Sequence, residues 1–306
     1  MKLAVIDLGT NTCNLLIADI YYDRYSILHQ SKQLVKLGDN KIKDNEISLE
    51  ATDRVVKSFQ IQKEIIEKFE VEKVRVIATS AVRTANNKIQ FLETLGEKSG
   101  WLVKIVSGEK EAELIFEGVL LAFSEFKNPA VILDIGGGSN ELIVAHKKEM
   151  IWKESQPTGM ARVINKFKIS DPIHEEEIKS LKTFFAEAHK TAFQKCKVEK
   201  VKTLVGCSGA FDTIADMIDD VNPGEKHRKT QEILLADFYR IFNKLVDSSR
   251  EERLKMKGMD YVRVDLIVPA VILIEQLISE IGISQIIQTD FALREGILFE
   301  LLQTEK

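Results

Sequence analysis

The chain has 306 residues, enough for two domains of ordinary size, and 44% of them are hydrophobic, enough to fill two cores. Its net charge of −4 gives no general basic field for nucleic acid, and no apolar run approaches the roughly 18 residues of a membrane span. No signal-peptide pattern is present, and the three cysteines are scattered without a C-x-x-C pair. The sequence therefore predicts a cytoplasmic protein with reduced thiols and with neither a nucleic-acid nor a membrane partner.

The first half of the chain predicts the element order βββαβαβα. Three strands cover residues 2 to 35, and Ser48 is a suitable N-cap for a helix whose apolar residues recur at helical spacing. The remaining elements of this half are a strand at 74–78, a helix at 88–98, a strand at 102–106 and a helix at 110–123.

The second half opens in the same way. Its predicted elements are strands at 130–135, 141–146 and 149–154, helices near 158–168 and 174–193, a strand at 201–205, a helix at 210–218, a helix-rich stretch at 234–280, a strand at 285–288 and a helix at 293–302. This is a duplicated, mostly parallel α/β fold with helices on the sheet faces. We expect a ligand in the cleft between the halves, at the turn ends of the strands.

The two halves predict two lobes, 1–124 and 125–306. The junction is expected in the segment SEFKNP at 124–129. The last helix, at about 291–306, is expected to pack back onto the first lobe.

Two copies of one hairpin pattern organise the chain. The first is LAVIDLGTNTCNLLIADI at 3–20, and the second is AVILDIGGGSNELIVAH at 130–146. In each, an apolar run ends near an Asp, a turn of small polar residues and glycine follows, and a second apolar run begins. Such a bend exposes backbone N–H groups that form an anion site, while the Asp suits a hydrated Mg²⁺ bridging to phosphate. Either turn alone also fits an ordinary β-turn, but two copies, one at the start of each half, favour phosphate binding.

Two common nucleotide motifs are excluded. The segment 136–141 begins like the dinucleotide fingerprint, but it ends in Glu141 and leads into a strand instead of a helix. No G-x-x-x-x-G-K-[ST] sequence occurs, so the chain has no P-loop.

Two segments that follow strands carry candidate chemical groups. In IATSAVRTA at 77–85, Arg83 either binds phosphate with its planar guanidinium or forms a surface ion pair. In VSGEKEAEL at 106–114, a carboxylate in the first turn of a helix suits a rigidly held general base, although acids there also complement the helix dipole.

Three further segments leave alternatives open. The turn LVGCSGA at 204–210 is a second potential phosphate site. In LREGI at 293–297, Arg294 and Glu295 either join the site or form a surface pair. The loop DDVNPGEKHRKT at 219–230 is either a plain surface loop or a polyanion contact.

The motifs IDLGTNT, IATSAVRTA, SGEKEAELIFEGV, LDIGGGSNEL, GCSGA and LREGIL occur in one order along the chain. This ordered set resembles the exopolyphosphatase and guanosine pentaphosphate phosphohydrolase (Ppx/GppA phosphatase) family over essentially the whole length. The resemblance implies a two-lobed, duplicated actin- and sugar-kinase-like (ribonuclease H-like) ATPase fold. It also implies hydrolysis of a phosphoanhydride bond assisted by Mg²⁺ or Mn²⁺.

The resemblance also implies roles for individual residues. Glu111 would be the base that activates water, and Arg83 would neutralise charge on the phosphate under attack. Asp134 and Glu141 would position the metal ion. The phosphate-binding residues implied in the same way are Gly9, Thr10, Asn11, Gly137, Gly138 and Ser139.

The sequence departs from the family pattern at three residues. Lys110 replaces an acidic residue, and either lowers the pKa of Glu111 or reaches the polyanion itself. Asn140 stands where Thr is usual and should be tolerated, while Ala210, where Thr is common, weakens any transfer of nucleotide contacts. The chain also resembles a short form without the C-terminal helical domain, from which a preference for short polyphosphate is expected.

These observations predict an exopolyphosphatase that releases orthophosphate from inorganic polyphosphate. One alternative is a guanosine pentaphosphate (pppGpp) 5′-phosphohydrolase, because the motifs are shared. An alternative of another class is a non-catalytic sensor of polyphosphate or an alarmone. A homodimer is expected if apolar helices in 234–280 are exposed.

Overall fold

A computed structural model describes residues 1–22, 24–38, 44–207 and 209–304. Met1–Gly118 together with the helix that begins at Leu293 forms one compact unit, and Val119–Ala292 forms a second. The division runs through a continuous helix, whereas the sequence placed the junction at 124–129. That segment does not act as a linker because Phe126 already begins a strand. Among the helices described, none is long and apolar enough to cross a bilayer.

The elements of the first unit are β1 Lys2–Leu8, β2 Thr12–Tyr21, β3 Arg24–Leu34, α1 Leu49–Lys68, β4 Lys73–Ala78, α2 Ser80–Thr84, α3 Lys88–Ser99, β5 Val103–Ile105, α4 Gly108–Phe123 and the last helix, α12, Leu293–Thr304. Its strands form a five-stranded sheet in the order β3-β2-β1-β4-β5. Strand β1 pairs antiparallel with β2 and parallel with β4, which is the arrangement expected of a hairpin followed by crossover connections.

Local chemistry explains where two of these helices lie. Ser48 caps α1, because its hydroxyl accepts a hydrogen bond from the Ala51 N–H at 3.1 Å. Helix α12 approaches α4 so closely that a β-carbon at Gly296 would lie 1.8 Å from the Leu114 carbonyl oxygen. Only glycine fits at that contact, so the glycine of the LREG motif allows α12 to pack closely against α4.

The second unit repeats the arrangement on a six-stranded sheet in the order β10-β11-β9-β6-β7-β8. Strands β6, β7, β8 and β9 correspond to β1, β2, β3 and β4 of the first unit in order and in direction of pairing. Its elements are β6 Phe126–Ile135, β7 Asn140–Lys147, β8 Glu149–Gln156, α5 Met160–Phe167, α6 Glu175–Ala188, α7 Lys190–Val198, β9 Thr203–Cys207, α8 Ala210–Asp219, β10 Gln231–Ile233, α9 Leu235–Val246, α10 Arg250–Leu254, α11 Ile267–Ile281 and β11 Gln285–Thr289.

The structure differs from the sequence prediction at four elements. The single helix expected at 174–193 is two helices that divide at His189. The short elements α2 and β10 were missed. The expectation of exposed apolar helices in 234–280 is wrong for α11, because every residue from Ile267 to Ile278 is buried against other helices of the unit. Helix α11 therefore gives no support to a homodimer, whereas exposed apolar side chains in the same stretch lie at Leu234, Tyr239, Leu254 and Tyr261.

Candidate active site

The second hairpin places two carboxylates opposite each other beside its turn. Asp134 on β6 pairs in register with Glu141 on β7, so both side chains leave the same face of the sheet. Glu141 is buried and accepts a hydrogen bond from the Ser155 hydroxyl at 2.6 Å. The hairpin therefore fixes a pair of oxygen donors next to the glycine turn.

The carbonyl groups of this turn are all committed to protein donors. The bonds are Met160 N–H to Gly136 O at 3.0 Å, Ala161 N–H to Gly137 O at 2.9 Å, Arg162 Nε to Gly138 O at 3.1 Å and Gly136 N–H to Ser139 O at 3.0 Å. In a trans peptide the carbonyl and the next N–H point in opposite directions. The N–H groups of residues 137 to 139 therefore point away from the start of α5. None of the three bonds to another described residue, so the turn presents a row of N–H groups to an anion.

Gly159, which the sequence analysis overlooked, holds this turn in place. A β-carbon there would lie 2.4 Å from Gly137 C and from Gly138 N, so the backbone before α5 rests directly on the turn. Glycine is also required at position 136, because a β-carbon there would lie 2.6 Å from Ser139 O. The G-x-x-S signal is visible in sequence, whereas the need for Gly159 depends on a contact between distant backbones.

The first hairpin repeats the same turn. Gly9 N–H donates to Thr12 O at 2.9 Å, as Gly136 does to Ser139. The Thr10 carbonyl accepts from Gly38 N–H, and the Asn11 carbonyl accepts from two further N–H groups at 2.9 and 3.0 Å. By the same peptide geometry, the N–H groups of Asn11 and Thr12 point away from those donors.

Asp7 stands beside the first turn in an unusual electrostatic state. It pairs in register with Asn14, whose amide donates to Asp7 Oδ2 at 3.2 Å. The other oxygen, Oδ1, is buried and has no hydrogen-bond partner. Burial raises the pKa of Asp7 to about 6, and the Asn14 hydrogen bond offsets only part of that effect. An unpartnered buried carboxylate oxygen is a group that a cation or its water ligands would satisfy.

Arg83 and Glu111 come together in the first unit. Arg83 lies on α2 directly after β4, and Glu111 lies in the first turns of α4, whose start is capped when the Ser107 hydroxyl accepts from Lys110 N–H. Arg83 Nη1 lies 2.7 Å from Glu111 Oε2 and donates to Val106 O at 3.0 Å. Glu111 is only 7% exposed, so the pair is not the surface ion pair that was the alternative for Arg83.

In the structure Lys110 pairs with acidic residues other than Glu111. Its ammonium forms ion pairs with Glu300 on α12 and with Glu113 one turn along α4. Glu111 pairs with Arg83. Lys110 therefore links two helices of the first unit.

The structure also describes parts of three other segments. Glu295 is fully buried beside Arg294 at 3.4 Å, which excludes an exposed pair. In the loop 219–230, Arg228 is buried and bonds to Asp216 at 2.7 Å, so its positive charge is neutralised inside the unit. In the turn 204–210, Ser208 lies outside the described residues.

The model of the Ppx/GppA phosphatase family matches residues 16–305 of this chain. The chain belongs to the Ppx/GppA phosphatase family. It is similar to exopolyphosphatase 2 of Mycobacterium tuberculosis, with 26% identity over 98% of both chains. It is also 29% identical to a bifunctional 3-dehydroquinate synthase/phosphatase of Fusobacterium nucleatum, over 91% of this chain and 43% of that longer protein.

Solved structures give the same result for the fold. A crystal structure of an exopolyphosphatase from Cytophaga hutchinsonii has 34% identity and a TM-score of 0.94, covering 100% of this chain and 99% of that one. The Aquifex aeolicus Ppx/GppA enzyme has 25% identity and a TM-score of 0.82, covering 98% and 99%. These neighbours confirm the duplicated actin-like ATPase fold. Family membership and these relatives also make the chain a hydrolase of phosphoanhydride bonds.

Proposed function

We propose that this protein is an exopolyphosphatase that removes terminal orthophosphate from inorganic polyphosphate with the help of Mg²⁺ or Mn²⁺. The observation that carries the proposal is the repeated turn, in which committed carbonyls leave backbone N–H groups for an anion in each unit. Such rows recognise phosphate groups and make no demand for a nucleoside. The names of the relatives favour the same substrate.

The residues present suit a hard divalent cation. Asp134 and Glu141 supply opposed carboxylates, and Asp7 has a buried oxygen without a partner. No set of three or more ligating side chains occurs in the part of the chain that the structure describes. This suits Mg²⁺, which usually binds through one or two carboxylates and keeps water and phosphate oxygens as its other ligands. When bound, the ion would supply charge neutralisation to the phosphate.

The chain's own residues would carry the remaining chemistry. Glu111 would accept a proton from the attacking water as the water oxygen forms a bond to the terminal phosphorus. The bond from that phosphorus to the bridging oxygen breaks, and the products are orthophosphate and a shortened chain. Arg83 Nη1 holds the base, while its Nε and Nη2 make no hydrogen bond within the described residues and are left for phosphate oxygens. Phosphoryl transfer depends mostly on such positioning and charge neutralisation.

The test compares phosphate release from polyphosphate and from guanosine pentaphosphate, at equal enzyme and with Mg²⁺ present. We expect faster release from polyphosphate, and we expect it to fall to background in Glu111→Gln. Release only from the nucleotide would assign the protein to pppGpp hydrolysis. Binding of tripolyphosphate without release from either substrate would indicate a sensor.

A further inference from the structure

A fully buried histidine lies at the break between α6 and α7. His189 is the C-cap residue of α6 and the N-cap residue of α7, and its side chain has no exposure to solvent. Nδ1 lies 2.7 Å from Glu154 Oε1, and Nε2 lies 3.1 Å from Thr158 Oγ1. A buried imidazole with both nitrogens bonded is part of a specific polar network, because burying it without partners would be costly.

The network continues to the second phosphate turn. Asn140 Nδ2 lies 3.0 Å from Thr158 Oγ1 and donates to Thr158 O at 2.8 Å. Asn140 directly follows Ser139, the last residue of the turn, and is itself completely buried. A continuous path of hydrogen bonds therefore leads from Glu154 to the turn.

The direction of the bonds at the Asn140 end of this path follows from the chemistry of the groups. The Asn140 amide nitrogen can only donate, so Thr158 Oγ1 accepts from it. Thr158 Oγ1 also lies within hydrogen-bond distance of His189 Nε2, and His189 Nδ1 lies within hydrogen-bond distance of the Glu154 carboxylate. The amide nitrogen of Asn140 makes both bonds to Thr158, whereas a threonine at this position has a single hydroxyl hydrogen to donate.

The residue after Thr158 is the one that touches the turn. Gly159 rests on the backbone of Gly137 and Gly138, and the next two N–H groups bind the carbonyls of Gly136 and Gly137. A fixed Thr158 therefore fixes the surface against which the turn is formed.

We infer that His189 is a positioning residue that, through Thr158, preorganises the Gly136–Ser139 turn for phosphate. This role rests on the proposed phosphatase function of the same turn. His189 touches no substrate, and its effect reaches the phosphate only through the backbone. Preorganised donors bind an anion more tightly than donors that must first be ordered.

The kinetic test compares Thr158→Val, which removes the hydroxyl at nearly constant shape, with the matched control Thr158→Ser, which keeps it. Loss of the hydroxyl leaves a buried histidine nitrogen without a partner. We expect the KM for polyphosphate to rise about tenfold in Thr158→Val and to stay within about twofold in Thr158→Ser. Equal KM values in the two variants, with both folded, would overturn the inference. If Thr158→Val does not fold, His189→Phe keeps a ring but removes both nitrogens, so it breaks the same path and carries the same expectation.

A second readout does not depend on activity. Amide hydrogen exchange of Met160 and Ala161 reports the two bonds that hold the turn. In free enzyme we expect exchange about tenfold faster in Thr158→Val than in Thr158→Ser. If the wild-type protein releases no phosphate but this difference is present, the proposed function fails and the network stands as a brace of the turn. If the enzyme is active but neither exchange nor KM differs between the variants, the positioning role fails.

Discussion

Arg83 Nη1 lies 2.7 Å from Glu111 Oε2, and the same nitrogen also donates to the carbonyl of Val106 at the end of β5. The arginine thus ties the carboxylate to the backbone at the strand end. Because Glu111 is nearly buried, this pair fixes its orientation in the absence of substrate. If Glu111 is the general base, as proposed, a carboxylate held in this way loses little entropy when it meets the attacking water.

The first prediction concerns Glu111→Gln. The amide keeps the shape and an oxygen for Arg83 but cannot take a proton. We expect kcat for polyphosphate to fall by about 10²–10⁴-fold, with little change in the Kd for tripolyphosphate measured by calorimetry. The control is Glu113→Gln, a partly exposed acid on the same helix, which should keep kcat within about twofold. Undiminished kcat in Glu111→Gln would remove this residue from the mechanism.

The second prediction concerns Gly159→Ala. The new methyl group would lie 2.4 Å from the backbone of the phosphate turn, so the turn must move. Displaced backbone in a packed site costs about 1–3 kcal/mol, and we expect the KM for polyphosphate to rise about tenfold or more. Steady-state kinetics at several polyphosphate concentrations would measure this.

Gly96→Ala is the matched control for that substitution. Its β-carbon would meet nothing closer than Trp101 O at 3.9 Å, and Gly96 lies inside α3. We expect unchanged KM and a gain in stability of about 0.5–1 kcal/mol, because alanine favours helix. Equal KM values for the two alanine variants would show that Gly159 does not shape the turn.

Local signals in the sequence predicted most of the fold. Alternating apolar runs indicated the strands of both hairpins, and Ser48 marked the start of α1, because these features depend on neighbours along the chain. The Asp and glycine residues of the turns were predicted for the same reason. The separate roles of Arg83 and Glu111 were suggested by family resemblance, whereas their pairing with each other was not predicted.

The remaining features depend on contacts between distant residues. Nothing near His189 marks a helix end, and its break is explained by buried bonds to Glu154 and Thr158. The burial of the Arg228 side chain depends on its ion pairs with Asp216 and Asp219, which lie on the preceding helix α8. Periodicity cannot show which partner a buried polar group will find.

The third prediction concerns the pH dependence of stability at Asp7. Its pKa in the folded protein is about 6, above the ordinary 3.8, so the folded state holds the proton more tightly than the unfolded state. The free energy of unfolding should therefore fall as pH rises from about 4 to about 6, by on the order of 3 kcal/mol from this group, and should fall no further above that range.

Asp7→Asn isolates this contribution. The variant cannot ionise, so in metal-free buffer it should become more stable than wild type as pH rises through 4 to 6, while its phosphatase activity falls. Urea unfolding at pH 4, 5, 6 and 7 measures the difference between the two proteins. A difference that stays constant over this range would show that Asp7 titrates normally in the fold.

The fourth prediction concerns Lys110, whose ammonium links α4 to Glu300 on α12. Its side chain is 40% exposed and that of Glu300 is 41% exposed, so solvent screens the pair. Lys110→Met should therefore cost no more than about 1 kcal/mol in the free energy of unfolding, and the loss should shrink at high salt. If Lys110 serves only to join these helices, the KM for polyphosphate should change by less than about twofold.

A KM increase that disappears at high salt, while the free energy of unfolding stays unchanged, would instead mean that Lys110 leaves Glu300 to bind the polyanion. The double variant with Glu300→Gln separates these cases, because a pure helix link predicts that the second substitution costs nothing once the first has been made.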